Sequence, residues 1–331
     1  IVGLTTAIVA TSITRAQSSI KTQIAYASIT QIGIMFIELA AGLEWLVLLH
    51  FVSNASLRTY QLLISPSVVS YLIHDQFFYF VRPIQKIKNT LLGKMRATLY
   101  VLSIKEWNMN TAVSHYLWKP LKVVGRACAA LDWPPIQIAS LALFLSFASI
   151  AMLLTNLVLF ASIVAAVTSL IFYIRAYTTK GAAAAAWNLI MLGHLFGALF
   201  LASASVTNWQ YLVMYGVGIV VAFVLGHICF WYLKTKNQPS MLEDYQGVVY
   251  AFPKLGSFFF VVSLLFMAFP ISTSFLAQDI LLSLISANHI VQIGLFCLAY
   301  LLVGVSIMRL YTKVFLGPHK TSYHEKAYRS S

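Results

Sequence analysis

Charge is scarce in this chain. Only 9% of its 331 residues are Asp, Glu, Lys or Arg, against about 25% in a soluble domain. Hydrophobic residues make up 60%. That balance excludes a soluble globular fold. Short alternating segments, the mark of a transmembrane β-barrel, are also missing. In their place stand continuous apolar runs that approach or reach the roughly 20 residues needed to cross a bilayer. The expected fold is all-α, a polytopic transmembrane helix bundle.

Cysteine is equally thin. Cys128, Cys229 and Cys297 are far apart and odd in number, and two lie in apolar runs. They suggest neither a disulfide framework nor a metal site. No nucleophile–base set, metal cluster or phosphate loop appears, so the chain is not expected to be an enzyme on its own or to carry a cofactor. No signal peptide is visible, and the sequence opens at Ile1 inside an apolar run. It reads as the later part of a longer protein. Acids are the scarcer sign of charge, with 9 Asp+Glu against 22 Lys+Arg and a net charge of +13. The cations collect in short loops on one inferred side, which is the positive-inside pattern. There is no nucleic-acid-reading module between the spans, so nucleic acid is not the expected partner.

Taken in order, the chain divides into residues 1–64, a transmembrane core; 65–134, a basic cytoplasmic or interfacial stretch; 135–316, a further bundle; and 317–331, a polar basic tail. The basic stretch holds Arg82, Lys86, Lys88, Lys94, Arg96, Lys105, Lys119, Lys122 and Arg126, opposed only by Asp75, Glu106 and Asp132. Trp118, Leu121 and Val124 recur among its cations at helical spacing, which predicts amphipathic helices at the lipid headgroups. Residues 254–287 are too long for one crossing and are interrupted at Pro270. Proline removes a backbone donor and clashes with the preceding turn, so a broken helix is expected there. Alternating the spans gives about nine crossings, the first partial, with every Lys- or Arg-bearing loop on one side. The opposite turns, near Leu43, Leu157, Val206 and Asn288, carry none. The protein is therefore expected in a cell membrane, the inner one in a bacterium, with basic loops and tail cytoplasmic.

Within residues 43–64, His50, Asn54 and Arg58 follow one another at four-residue steps. They fall on one helix face, about a turn apart. Such a stripe cannot face lipid, because an arginine near the bilayer centre costs roughly 2.5–3.5 kcal/mol even on the lenient scale. It points at protein or trapped water. Two uses fit: polar residues that fasten helices together, or a path for protons or ions. Histidine is the side chain suited to relaying a proton, whereas arginine keeps its proton and only sets the field.

The residues 20–35, IKTQIAYASITQIGIM, followed by 49–63, LHFVSNASLRTYQLL, resemble the central segment of antiporter-like, proton-conducting membrane subunits. These are the NuoL type of respiratory complex I and the large Mrp-antiporter subunit. The pattern there is roughly D-I-K-x-x-x-A-Y-S-x-x-x-Q-x-G, then H-x-x-x-H-A-x-x-K. Lys21, Ala25, Tyr26, Ser28, Gln31 and Gly33 fall in register. His50 matches the first histidine, Asn54 stands for the second, and Arg58 for the lysine. Residues 56–75, SLRTYQLLISPSVVSYLIHD, look like the matching run of DabB (MpsA), the NuoL-like membrane partner of DabA in inorganic-carbon uptake. Residues 252–281 resemble the family's broken helix, with Asp279 at its aspartate and Gln278 replacing its lysine. The helices bearing the family's membrane glutamate and first lysine would precede Ile1.

The resemblance implies a proton- or Na+-conducting subunit. Its partner would be a DabA-like zinc protein on the cytoplasmic face, resembling a β-carbonic anhydrase, with the zinc in that partner. The alternatives are a complex I or Mrp subunit and a non-conducting membrane anchor. The proton path implied is Lys21, Glu38, His50, Asn54, Arg58, Gln278 and Asp279. Each has a plainer reading: Lys21 as a snorkelling anchor, Glu38 as a hydrated outer residue, and Asp279 as the cap of the second half-helix. His194 and His227, on consecutive spans, are either packing residues or a pair. They lack the third ligand of a zinc site.

Overall fold

The computed structural model describes residues 1–79, 90–153, 158–204, 209–238, 240–270, 272–285 and 290–318, with side chains placed for all of these except 65–79, 149–153, 158–159 and 204. The expected turn positions Leu157, Val206 and Asn288, the cations Arg82, Lys86 and Lys88, and residues 319–331 of the tail lie outside the described residues. Among the described residues all regular structure is helical, apart from one bridge between Ala182 and Met241. The protein is a polytopic helical membrane protein. Its helices form two compact units, Ile1–Leu117 and Trp118–Ser331.

The first unit comprises α1 (Val2–Ala16), α2 (Ile20–Ala40), α3 (Glu44–Tyr79), α4 (Leu91–Ile104) and the short α5 (Met109–Val113). Helices α1 and α2 run antiparallel, with Gly3 against Gly33 and the Thr11 hydroxyl 3.3 Å from that of Thr30. A Cβ on Gly3 would sit 2.6 Å from the Gly33 carbonyl oxygen, and one on Gly33 2.7 Å from the Gly3 oxygen. In lipid, where apolar burial does not drive helices together, small residues permit this backbone-to-backbone packing. The turn into α3 is a Schellman motif. Gly42 takes φ +77°, Leu43 N–H donates to Glu38 O (3.1 Å) and Gly42 N–H to Leu39 O (3.0 Å). This tight reversal lays α3 back along α2. Helix α4 returns against α1 through Ser103, whose hydroxyl donates to Ser12 Oγ at 3.1 Å.

Five helices are long and apolar enough to cross a membrane: Ile20–Ala40, Phe160–Thr178, Ala183–Ser203, Trp209–Thr235 and Ile290–Val314. The other expected crossings fall on three shorter apolar helices, Val2–Ala16, Pro134–Ala148 and Pro253–Phe266, and on α3. Helix α3 has 36 residues, about 54 Å against a hydrocarbon core of about 30 Å. Its polar stripe keeps its mean hydropathy below that of the five. It also continues past residue 64, the expected end of the span, through Pro66.

The second unit holds α6 (Lys119–Ala127), α7 (Pro134–Leu153), α8 (Val158–Thr178), α9 (Ala183–Ala204), α10 (Trp209–Thr235), α11 (Pro253–Phe266), α12 (Thr273–Ser283) and α13 (Ile290–Val314). Its core is aromatic: Trp187, Phe259, Phe266 and Phe315 are fully buried. The Trp187 indole donates to Phe223 O at 3.0 Å, which removes the one polar atom that burial would otherwise penalise. The apolar side of α6 is seated on this core. Trp118 stacks on Tyr177 at 5.1 Å, and Gly125 lies against Thr178. Lys119, Lys122 and Arg126 point away, exposed.

The expected broken helix is present. Helix α11 ends at Phe266 and α12 begins at Thr273, with Ala268 at φ +49° between them. Backbone groups freed at a break inside hydrocarbon need new partners. The Tyr300 hydroxyl donates to Ala268 O at 2.6 Å, and the Ser272 side chain caps α12 by accepting from Phe275 N–H at 3.2 Å.

Candidate functional site

The polar residues of the first unit form a ladder between α2 and α3. On α2, Lys21, Ser28, Gln31 and Glu38 fall within about 100° of arc; on α3, His50, Asn54, Arg58 and Gln61 fall within about 80°. The reversal at Gly42 sets these two faces together. His50 Nδ1 lies 2.9 Å from Glu38 Oε1 and 3.1 Å from Oε2, and its Nε2 lies 2.9 Å from Gln31 Oε1. One turn on, Asn54 Nδ2 approaches Ser28 Oγ at 3.5 Å. Arg58 Nε then donates to Asn54 Oδ1 at 3.2 Å and its Nη1 to Gln61 Oε1 at 2.6 Å. Apart from Lys21 the ladder residues are partly buried, while their neighbours Leu49, Phe51, Leu57 and Tyr60 are exposed. The stripe therefore faces protein, and the apolar remainder of α3 faces outward.

The His50 contacts set out a proton-handling geometry. With Nδ1–H donating to the Glu38 carboxylate, Nε2 has two ways to meet Gln31. A neutral ring accepts from the amide NH2 group; a doubly protonated ring donates to the amide oxygen. A glutamine can serve either state by turning its amide. Glu38 keeps 16% of its side-chain surface exposed and His50 22%, and both lie within about two turns of the Gly42 reversal, at the end of the span.

Lys21 shares the α2 face but is exposed in the first turn and makes no ion pair among the described residues. Tyr26 projects from the other side of α2, where it interacts with Glu106. In the second unit the two histidines take separate partners. His194 is buried, with Nδ1 2.9 Å from the Tyr215 hydroxyl. Its Nε2 has no hydrogen-bond partner, although the Phe266 carbonyl at the end of α11 faces it. His227 Nε2 lies 2.8 Å from Asn188 Oδ1, and Asn188 passes a donor to Gln137 at 3.1 Å. Gln278 is buried in α12; Asp279 is exposed two turns past the Ser272 cap. The structure thus brings Glu38, His50, Asn54 and Arg58 into one array. Gln278, Asp279, His194 and His227 lie in the other unit.

Sequence reasoning missed Gln31 and Gln61 as ladder members. The signal was present: Gln31 precedes Glu38 by seven residues and Gln61 follows Arg58 by three, so each shares a face with a residue already singled out. It also missed the clasp beneath α6. There Arg175 Nε donates to Asp132 Oδ1 (2.8 Å), Nη2 to Oδ2 (2.5 Å) and Nη1 to Gly125 O (2.8 Å). No local signal pairs residues 43 positions apart.

Comparison with curated proteins gives no match, and comparison with solved structures gives none. One family does match: residues 1–92, the segment that holds the whole ladder, match the family described as NADH:quinone oxidoreductase/Mrp antiporter, TM.

Proposed function

We propose that the chain is a proton-conducting (alternatively Na+-conducting) membrane subunit of a coupled transport complex. The observation that carries this is the Glu38–His50–Gln31 array: a partly exposed carboxylate near the Gly42 reversal, bonded to an imidazole whose other nitrogen meets a rotatable amide. A proton reaching Nε2 of the neutral ring gives the doubly protonated ring, which donates to Gln31 Oε1 and can release its Nδ1 proton to the Glu38 carboxylate; the reverse sequence carries a proton the other way. The match of residues 1–92 to an antiporter family supports the same reading.

More finely, the run from Ser56 to Asp75 supports a DabB-like role. The chain would let cations down their gradient and so drive a DabA-like, zinc-bearing partner on the basic face to hydrate CO2 to bicarbonate. The second reading, a redox-driven or Mrp-type antiporter subunit, is favoured by the description of the matching family itself. The co-purifying chains separate the two: one large zinc protein for the first, quinone or iron–sulfur subunits or several further antiporter-like chains for the second. A non-conducting anchor is the third reading.

The test is His50→Ala in the native complex reconstituted into liposomes. Coupled cation flux is expected to fall at least tenfold, and partner-dependent growth in air to fail where the carbon-uptake reading holds. Flux unchanged by His50→Ala would refute conduction through the ladder.

A further inference from the structure

The ladder has unlike ends. Glu38 stands at one end, with Glu44 in the first turn of α3 nearby in sequence; Arg58 and Lys21 stand at the other. On the facing surfaces of α2 and α3 the charged and titratable groups are Lys21, Glu38, His50 and Arg58, and the one acid among them is already bonded to His50. Arg58 is held by two neutral amide oxygens, Asn54 Oδ1 four residues before it and Gln61 Oε1 three residues after. Among the described residues no carboxylate pairs with it, the ion pairs there being His50–Glu38 and Arg175–Asp132. Both bonds run along its own helix, so the guanidinium lies across the stripe rather than reaching out to a counter-charge.

From this we infer that Arg58 is a fixed-charge seal, and that the ladder is a half-channel open at Glu38 and closed towards Lys21. The inference rests on the conducting role proposed above and adds its direction and its stop. Arginine keeps its proton, so Arg58 cannot pass one on as a lysine would. Its Nε engages Asn54 Oδ1, which turns the Asn54 NH2 group towards Ser28 and the rest of the ladder. A hydronium or Na+ moving on past His50 and Gln31 thus meets the Asn54 amide donor and then the guanidinium of Arg58, whose backbone lies about 12 Å further along the axis. Uncompensated arginine in a narrow polar passage excludes protons and cations in just this way. A subunit that couples ion movement to other work needs such a stop, because an unbroken path would dissipate the gradient.

The experiment removes the charge and reads a gain. The full-length protein in its native complex is reconstituted into liposomes. Proton entry is followed with a trapped pH dye under a K+ diffusion potential, without substrate for the complex. Arg58→Gln is expected to raise passive proton flux at least tenfold. Adding His50→Ala is expected to return it to within twofold of the native rate, and Arg58→Lys to leak at least threefold less than Arg58→Gln. Arg58→Gln flux within twofold of native overturns the seal, and so does a leak that survives His50→Ala. Should Arg58→Gln fail to assemble, Arg58→Met, which also removes the charge, gives the same reading. If His50→Ala abolishes coupled flux while no Arg58 variant leaks, the conducting role stands and the seal falls. If His50→Ala leaves coupled flux intact, the conducting role itself is wrong.

Discussion

Removing Asp132 should unseat α6 from the second unit, and the size of the effect follows from the clasp. Arg175 keeps 9% of its side-chain surface exposed and Asp132 keeps 26%. The carboxylate accepts from Arg175 through both oxygens and from the Thr179 hydroxyl as well. Asp132→Ala leaves the guanidinium with Gly125 O alone. Breaking a buried ion pair from one side destabilises by about 3–5 kcal/mol, largely because a charge is left without its partner. The quarter-exposed aspartate places this case near 3 kcal/mol. Replacing both partners, Asp132→Ala with Arg175→Met, removes the stranded charge and should cost only about 1–2 kcal/mol. The double-mutant coupling is then about 2 kcal/mol or more. Unfolding by SDS titration in mild detergent, followed by tryptophan fluorescence, reads it, since Trp118 is stacked on Tyr177 beside the clasp. A single-mutant effect below about 1 kcal/mol, or singles and double that add to within about 0.5 kcal/mol, would refute the account.

Three further outcomes are expected. Gly33→Leu drives a side chain into the α1 backbone, 2.7 Å from Gly3 O and 2.8 Å from Ala7 N at its first atom; the strain should exceed the usual 1–3 kcal/mol of overpacking and show as lost folded protein in detergent. Ser272→Ala removes the cap of α12 and should lower stability by about 1 kcal/mol, read as a thermal shift with Asp279→Asn as the exposed control. Glu38→Leu with His50→Leu should change stability by less than about 1 kcal/mol while abolishing flux; a loss above about 2 kcal/mol would mark the pair as structural instead.

The α2–α3 ladder was legible because helical spacing alone fixes azimuth: residues four or seven apart must share a face. What spacing does not fix is which residue meets which across the interface. Glu38 stands in the implied path, with a hydrated outer residue as its plainer reading and no partner named; the reversal at Gly42 is what sets it against His50. The same limit applies to the histidines of the second unit. They read as either packing residues or a pair, and position along consecutive helices says nothing of rotation about each axis; they turn to Tyr215 and Asn188 respectively. The end of α3 was hidden for a different reason. The span is expected to end at residue 64 because a polar, basic stretch follows, but polarity does not stop a helix, and α3 runs on through Pro66. The amphipathic pattern of α6 was legible too, but not how its apolar residues divide: Trp118 and Leu121 pack on the core of the second unit, while Val123 and Val124 stay exposed.

The described ion pairs separate two kinds of polar construction. At Asp132 both oxygens are engaged, Thr179 beside it is fully buried, and the guanidinium finds its third acceptor in the backbone. A network completed in this way rigidifies and has nothing left to exchange. At Glu38 both oxygens crowd one nitrogen of His50, the remaining lone pairs are open to water, and the far ring nitrogen meets an amide that serves equally well either way round. The pair is partly buried but bonded through one nitrogen only, and replacing both partners by apolar side chains of similar volume is expected to cost little, because no stranded charge is left. In a chain with 9 acidic residues in all, an acid that contributes so little to the fold is best accounted for by the work its spare valences permit. In the conducting role proposed above the exchange falls at Glu38 and His50, whose hydrogen bonds can be remade without disturbing the packing around them, and not at Asp132.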